Sequence, residues 1–352
     1  MTYFLKNGNT FRVSSAAAMD LHELLPVGNY IIKQDMFENL FLEAIDEFEL
    51  PSKLYGDTTK NAARIVNTFM DRDNSTGIML NGEKGSGKTL LAKTLSVECA
   101  KLGAPTIVIN APWRGDKFNQ LIQSIEQPCV VLFDEFEKVY DKDDQEAVLT
   151  LLDGVFPSKK MFIITCNDKW RVDQHMRNRP GRIFYMLDFA GLDMEFIREY
   201  CGDNLKNKQH IEKICQITSL FASFNFDMLK ALVEEMNRYN DGPQEALRML
   251  NAKPEFEESS NYTLKLIVDG KLISDEQLSE KNWRGNPLQR GLRVSYDTDP
   301  KDDDSDWEDV VFSPGDLHRV DADAGRFEFK NKDGQLVLTR IREKIFNYYD
   351  AF

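Results

Sequence analysis

The chain has 352 residues, enough for two or three domains and at least one well-packed core. Its 44 Lys and Arg stand against 58 Asp and Glu, and the resulting charge of −14 repels nucleic acid and anionic membrane, so neither is expected as a partner. Apolar residues at 42% and aromatics at 11% exclude a chain that stays disordered.

No apolar run approaches the ~18 residues of a membrane span, and the start Met-Thr-Tyr-Phe-Leu-Lys-Asn-Gly lacks a secretory pattern. The five cysteines (Cys99, Cys129, Cys166, Cys201, Cys215) form no CxxC pair and read as reduced thiols. The four histidines are scattered, so no His-rich metal site is expected. The expectation is a cytoplasmic protein, in host cytoplasm if the chain is viral.

Residues 1–50 form an N-terminal region: a polar β-like start, then a run from Met36 to Phe48 whose apolar spacing predicts a helix. From about residue 51 to 190 short apolar runs alternate with helical stretches. The runs are Ile78–Leu80, Thr106–Ile109, Cys129–Phe133, Met161–Thr165 and Ile183–Leu187. Near-continuous apolar strands alternating with helices predict an α/β core, a parallel sheet covered on both faces. Residues 191–252 read as amphipathic helices, with Met228, Leu229, Leu232, Val233 and Met236 on one face.

A linker around Pro254–Ser260 precedes a mainly β domain, 253–352. There Tyr262, Leu264, Leu266 and Val268 alternate with exposed types, and Asp269-Gly270 offers a turn. Arg326–Lys330 and Leu336–Leu338 flank a second turn at Asp333-Gly334, and a closing helix is predicted over 341–349. An acidic stretch, Asp297–Asp309, holds eight acids against one lysine, half of the chain's net charge in thirteen residues. It reads as a solvated loop or as a docking segment for a basic partner.

The strongest chemical signal is Gly82-Glu83-Lys84-Gly85-Ser86-Gly87-Lys88-Thr89, with Leu90 opening the helix that follows. It fits GxxxxGK[ST] between a strand and a helix, the setting this motif requires. Glycines let successive backbone N–H groups curl around phosphate oxygens, and the helix N-terminus adds positive charge. Lys88 is expected to reach the β- and γ-phosphates of ATP, and Thr89 to ligate Mg²⁺. Forty-six residues after Lys88, Val130-Val131-Leu132-Phe133 ends in Asp134-Glu135. Asp134 is expected in the magnesium shell, and Glu135 as the base that polarises the attacking water.

A third strand runs into Cys166-Asn167, and Arg177-Asn178-Arg179-Pro180-Gly181-Arg182 follows. With these residues the chain resembles the AAA+ ATPases, within them the AAA clade proper, a group of remodelling ATPases that includes Rubisco activase. The resemblance covers about residues 50–250, and its two nucleotide motifs are Walker A and Walker B. It implies a five-stranded sheet in the order 5-1-4-3-2, a helical lid at 191–252 and a hexameric ring. It implies that Asn167 contacts the γ-phosphate and the water, and that Arg179 and Arg182 act as arginine fingers on the neighbouring subunit's nucleotide.

In threading members an aromatic-x-Gly loop follows the second core strand and grips protein substrate in the pore, which here falls on Trp113-Arg114-Gly115. The expected function is therefore an ATP-hydrolysing motor that remodels or threads a protein. Two other classes compete. A nucleic-acid ATPase of helicase or loader type would show DNA-stimulated turnover. An ATP-dependent assembly protein would do no substrate work to lose.

Overall fold

The computed structural model describes residues 2–7, 10–15, 20, 22–152, 159–189, 191–218, 221, 224–250, 261–287, 291–300, 306–321 and 324–341. The linker at 254–260, residues 301–305 of the acidic stretch and all but the first residue of the helix expected over 341–349 lie outside them. The chain divides into two compact units, Met1–Ala190 and Gly191–Phe352.

In the first unit, β1 (Thr2–Asn7) and β2 (Thr10–Ser15) pair antiparallel as a separate ribbon. β3 (Asn29–Gln34) and β4 (Leu40–Ile45) form a second hairpin. The α/β succession follows: α1 (Thr58–Asp71), β5 (Thr76–Gly82), α2 (Lys88–Lys101), β6 (Thr106–Ile109), α3 (Asp116–Ser124) and β7 (Cys129–Phe133). It continues through α4 (Phe136–Val139), α5 (Lys142–Leu152), β8 (Lys160–Cys166), α6 (Gln174–Arg177) and β9 (Tyr185–Phe189).

One seven-stranded sheet has the order β4-β3-β6-β7-β8-β5-β9. Its five core strands take the expected 5-1-4-3-2 order, and the helix-connected strands are all parallel. Because side chains alternate along a strand, each central strand feeds two cores. Met79, Val131, Phe133, Phe162 and Ile164 enter one, with Phe118 and Ile122 of α3 and Val148 and Leu151 of α5. Ile78, Leu80, Val130, Leu132 and Ile163 enter the other, with Ala62 and Ile65 of α1 and Leu91 and Leu95 of α2. The central strands are thereby buried on both faces, and their ends are open to chemistry.

The helix predicted over Met36–Phe48 is instead a turn and β4. Asp35 Oδ1 accepts from the backbone N–H of Phe37 (2.8 Å) and of Asn39 (2.9 Å), and Glu38 is left-handed at φ 61°. This Asx chemistry makes a tight turn and stops a helix. Leu40 and Leu42 then pack on the core while Phe41 between them is exposed, a period of two. The sheet is also wider than five strands, since β3 joins β6 in parallel with Tyr30 beside Ile107.

In the second unit come α7 (Met194–Asn204), α8 (Ile211–Thr218), α9 (Phe226–Tyr239) and α10 (Pro243–Met249). Asp193 and Asn225 cap α7 and α9 by accepting from the N–H of Phe196 and Met228. Leu229, Leu232, Val233 and Met236 make the buried face of α9, as their spacing requires.

The β part comprises β10 (Asn261–Val268), β11 (Lys271–Leu272), β12 (Asn282–Arg284), β13 (Leu292–Asp297), β14 (Trp307–Phe312), β15 (Leu317–Asp321), β16 (Arg326–Lys330) and β17 (Gln335–Arg340). The ladder β11-β10-β17-β16-β15 packs Tyr262, Leu264, Leu266, Phe327, Phe329, Leu336 and Leu338 in one core. Asp269 and Gly270, both at positive φ, make the expected turn. The acidic stretch is not wholly a solvated loop: its last three residues begin β14. There Asp309 pairs with Arg293 and accepts from Ser295, and Glu308 accepts from the Tyr296 hydroxyl, whose pKa is pushed up to about 12 by that bond.

Candidate active site

The candidate residues gather at the carboxyl ends of β5, β7 and β8, where parallel strands hand over to helices. Gly82, Gly85 and Gly87 hold φ of 148°, 76° and 101°, values an L side chain adopts only with strain. A Cβ on Gly82 would also stand 2.3 Å from the Phe189 carbonyl oxygen. Gly87 ends the loop as the left-handed residue before α2. The N-terminus of this 14-residue helix therefore faces the loop with its free N–H groups.

Lys88 is buried at 6% exposure, and its Nζ donates to the carbonyls of Gly82 (2.6 Å) and Glu83 (2.7 Å) and to Asn167 Oδ1 (3.2 Å). Hydrogen bonds to a charged group are worth about 1.5–3 kcal/mol each, enough to hold a buried ammonium in place. Burial pushes the Lys88 pKa down. Charges at Cys166, Glu137, Asp134 and Glu135 pull it back, and the Cys166 thiol, itself pushed up to about 12 by burial, is neutral near pH 7. The three carboxylates therefore carry that support.

Thr165 links the second motif to the third strand. Its Oγ1 donates to Asp134 Oδ1 (2.7 Å) and accepts from the Glu135 N–H (2.8 Å). Glu135 sits left-handed at φ 50°, ψ 47°, and its Oε1 receives Lys138 Nζ at 2.6 Å. That bond from Lys138 holds the Glu135 carboxyl below its ordinary value. Asn167 meets Glu137: its backbone N and Nδ2 both donate to Glu137 Oε1 at 2.9 Å. Lys88, Asn167 and Glu137 thus form one chain of hydrogen bonds across three elements.

The fit to a nucleotide triphosphate rests on three observations. The loop glycines Gly82, Gly85 and Gly87 hold left-handed or strained φ values, and a Cβ on Gly82 would clash. Ser86 Oγ is buried with no partner among the described residues. Thr89 is exposed at the start of α2, beside loop residues Glu83 and Lys84, which are also exposed. Thr89 and Asp134 supply the hydroxyl and carboxylate oxygens that Mg²⁺ prefers, leaving its other positions to phosphate and water. Among the described residues no group of three or more His, Cys, Asp or Glu is disposed to hold a metal ion, and no helix is long and apolar enough to cross a membrane.

The two proposed fingers separate. Arg179 is exposed. Arg182 is 8% exposed and its NH1 donates to the His175 carbonyl at 2.7 Å, which ties it to its own chain. The Trp113-Arg114-Gly115 loop follows β6. The Trp113 ring packs against the core, its carbonyl accepts from Tyr140 OH (2.9 Å), and Arg114 pairs with Asp144. An indole gains more from burial than from display. Gly115, at φ 81°, serves as the residue before α3.

Sequence reading missed Glu137, Thr165 and Lys138. Glu137 had a signal, an acid two positions past Asp134-Glu135. Thr165 and Lys138 had none apart from their partners.

Residues 78–188 match the family described as "ATPase family associated with various cellular activities (AAA)". The chain is 28% identical over 164 residues to the peroxisomal ATPase pex1 of Schizosaccharomyces pombe, covering 41% of this chain and 17% of that protein. It is 31% identical over 130 residues to the peroxisomal ATPase PEX1 of Dictyostelium discoideum, covering 30% and 10%. The matched stretch spans between 10% and 17% of the curated relatives' own length. Among solved structures, the FIGL-1 AAA domain in complex with ADP is similar at 18% identity and a TM-score of 0.41, covering 61% of this chain and 81% of that one.

Proposed function

We infer that this chain, an AAA+ ATPase by its domain at residues 78–188, couples ATP hydrolysis to the remodelling of a protein substrate, working as a ring of copies that is hexameric as in the family it resembles. The observation that carries the reading is the gathering of two hydrogen-bonded groups, Lys88–Asn167–Glu137 and Asp134–Thr165–Glu135, at the ends of three parallel strands.

In this reading the loop Gly82–Thr89, continuing into Leu90, binds the phosphates through backbone N–H groups, and Ser86 Oγ and Lys88 add donors. Magnesium, held by Thr89 and Asp134, would supply positive charge between the phosphates. Glu135 takes a proton from the attacking water once its carboxylate leaves Lys138, and Asn167 orients the γ-phosphate. Arg179, exposed and free of the intrachain bond that holds Arg182, is the residue to reach a neighbour's nucleotide. An arginine supplied in trans is worth ~10³–10⁵ in rate where it has been studied.

With Trp113 turned inward, contact with substrate falls to another feature at the same end of the sheet. β3 runs parallel to β6, so the tip of the β3–β4 hairpin lies on the side of the loop that follows β6. Met36 and Phe37 there are 90% and 71% exposed on the turn that Asp35 fixes. Lys117 at the start of α3 reaches the tip through Glu38. Apolar side chains on a rigid tip suit transient contact with unfolded polypeptide.

Glu135→Gln is the test. It should keep nucleotide affinity within about twofold while turnover falls by ~10²–10⁴, the usual contribution of a general base. Wild-type turnover in that variant would remove Glu135 from its role. Replacing Met36 and Phe37 together by Ser should lower substrate unfolding and leave basal hydrolysis intact. Undiminished unfolding would move the contact elsewhere.

A further inference from the structure

We propose that Glu137 is the positioning residue that sets the orientation of the Asn167 side-chain amide. Resting on the reading of Asn167 as the γ-phosphate contact, this assigns a role to a carboxylate that the two nucleotide motifs leave unused.

The argument starts from the two ends of an amide. Asn presents a carbonyl oxygen that only accepts and an NH₂ with two hydrogens to donate. The two ends are nearly equal in size, so packing alone does not choose between them, and the hydrogen-bond partners do. At Asn167 they are unambiguous. Lys88 Nζ has only protons to offer and stands 3.2 Å from Oδ1. Glu137 Oε1, an acceptor, stands 2.9 Å from Nδ2. A flipped amide would set oxygen against carboxylate and NH₂ against ammonium, two repulsions in place of two bonds. The same Oε1 accepts from the Asn167 backbone N–H, which fixes the carboxylate relative to the strand end as well as the side chain.

This orientation commits one Nδ2 hydrogen to Glu137 and leaves the second to donate to a phosphate oxygen or a water. Positioning of this kind matters because misplacing a reacting partner by about 1 Å can cost ~10²-fold in rate. Glu137 Oε2 is buried without a hydrogen-bond partner among the described residues, so the carboxylate is held at a desolvation cost that its surface packing does not explain. Glu135 is otherwise engaged in this structure, its Oε1 receiving Lys138 Nζ.

The experiment is a mutant cycle on the full-length chain at a protein concentration that saturates assembly, using Asn167→Ala, Glu137→Ala, the double variant and Glu137→Gln. Two quantities are read, the single-turnover rate of ATP hydrolysis and the Kd for a fluorescent ATP analogue, with thermal unfolding as the control for folding. Both single variants should lose ~10–100-fold in rate with Kd changed by less than about threefold. The double variant should be no slower than the slower single one, because both changes remove the same positioned donor. Glu137→Gln, whose Oε1 still accepts both bonds, should recover most of the loss. It also covers the case in which Glu137→Ala fails to fold.

Losses that multiply in the double variant would overturn the proposal. So would a wild-type rate in Glu137→Ala, or a Gln variant as slow as the Ala one. If Asn167→Ala itself hydrolyses ATP at the wild-type rate, the reading of Asn167 fails instead, and the two failures are told apart.

Discussion

Arg179 and Arg182 differ in environment although only two residues separate them. The buried one donates to His175 O, and Arg182→Ala strands that carbonyl and removes a charged hydrogen bond, a loss of about 1.5–3 kcal/mol in a denaturant titration. Arg179→Ala, at an exposed position, should change stability by under about 0.5 kcal/mol. If Arg182→Ala unfolds like the wild type, the anchor role is wrong.

Asp188 gives a pH-dependent counterpart. Burial opposes its ionisation, but hydrogen bonds from Lys169 and Asn81 prevail and hold its pKa below the ordinary value. A depressed carboxyl stabilises the fold above its unfolded pKa, and that contribution is lost as pH falls through the lower folded value. The side chain is 42% exposed, so Asp188→Asn should cost less than ~1 kcal/mol at pH 7 after screening. The difference should shrink as pH falls through the ordinary carboxylate range and vanish once the lowered folded value is passed. A deficit that persists in acid would point to lost packing.

At this scale the sequence carried what is local. A glycine-rich loop before a lysine announces itself because its residues act on a phosphate through their own neighbours. Thr165 did not, because it matters only through the register that sets Phe133 beside Ile164 and brings the ends of β7 and β8 together; Glu137 showed as an acid beside the motif, but its partner came from the same register.

Among the elements, the apolar runs of β6 and β7 have the predicted bounds because buried strands are apolar on both faces, and each run opens after a proline and ends at a polar residue, Asn110 or Asp134. β4 escaped prediction because Leu40, Leu42 and Ile45 satisfy helical and strand spacing nearly alike over so short a run. The decision lay with the Asp35 turn. Tight packing between elements shows at Gly77 of β5, where a Cβ would stand 1.8 Å from the Arg182 carbonyl oxygen. The Gly77 carbonyl accepts from the Phe184 N–H at 2.8 Å, so neither backbone can yield without losing the approach to β9. Gly77→Ala should therefore destabilise the first unit by roughly 2–4 kcal/mol, lowering its thermal midpoint by several degrees. An unchanged midpoint would mean that the strands part more easily than their pairing implies.

For the whole molecule, composition bounds the partners but not the machine. The net charge of −14 favours a protein substrate over nucleic acid, and neither charge nor periodicity reports how many copies act together. In this reading that information sits in Arg179, an exposed arginine whose task lies on a neighbouring subunit. The most direct measurement is the ATPase rate per subunit against protein concentration, for wild type and for Arg179→Ala. The account predicts a wild-type rate that rises to a plateau as copies assemble, and a variant that assembles and binds nucleotide but stays at a basal rate ~10³-fold lower. A wild-type rate independent of concentration and matched by Arg179→Ala would contradict it, leaving a P-loop ATPase that works as a single chain.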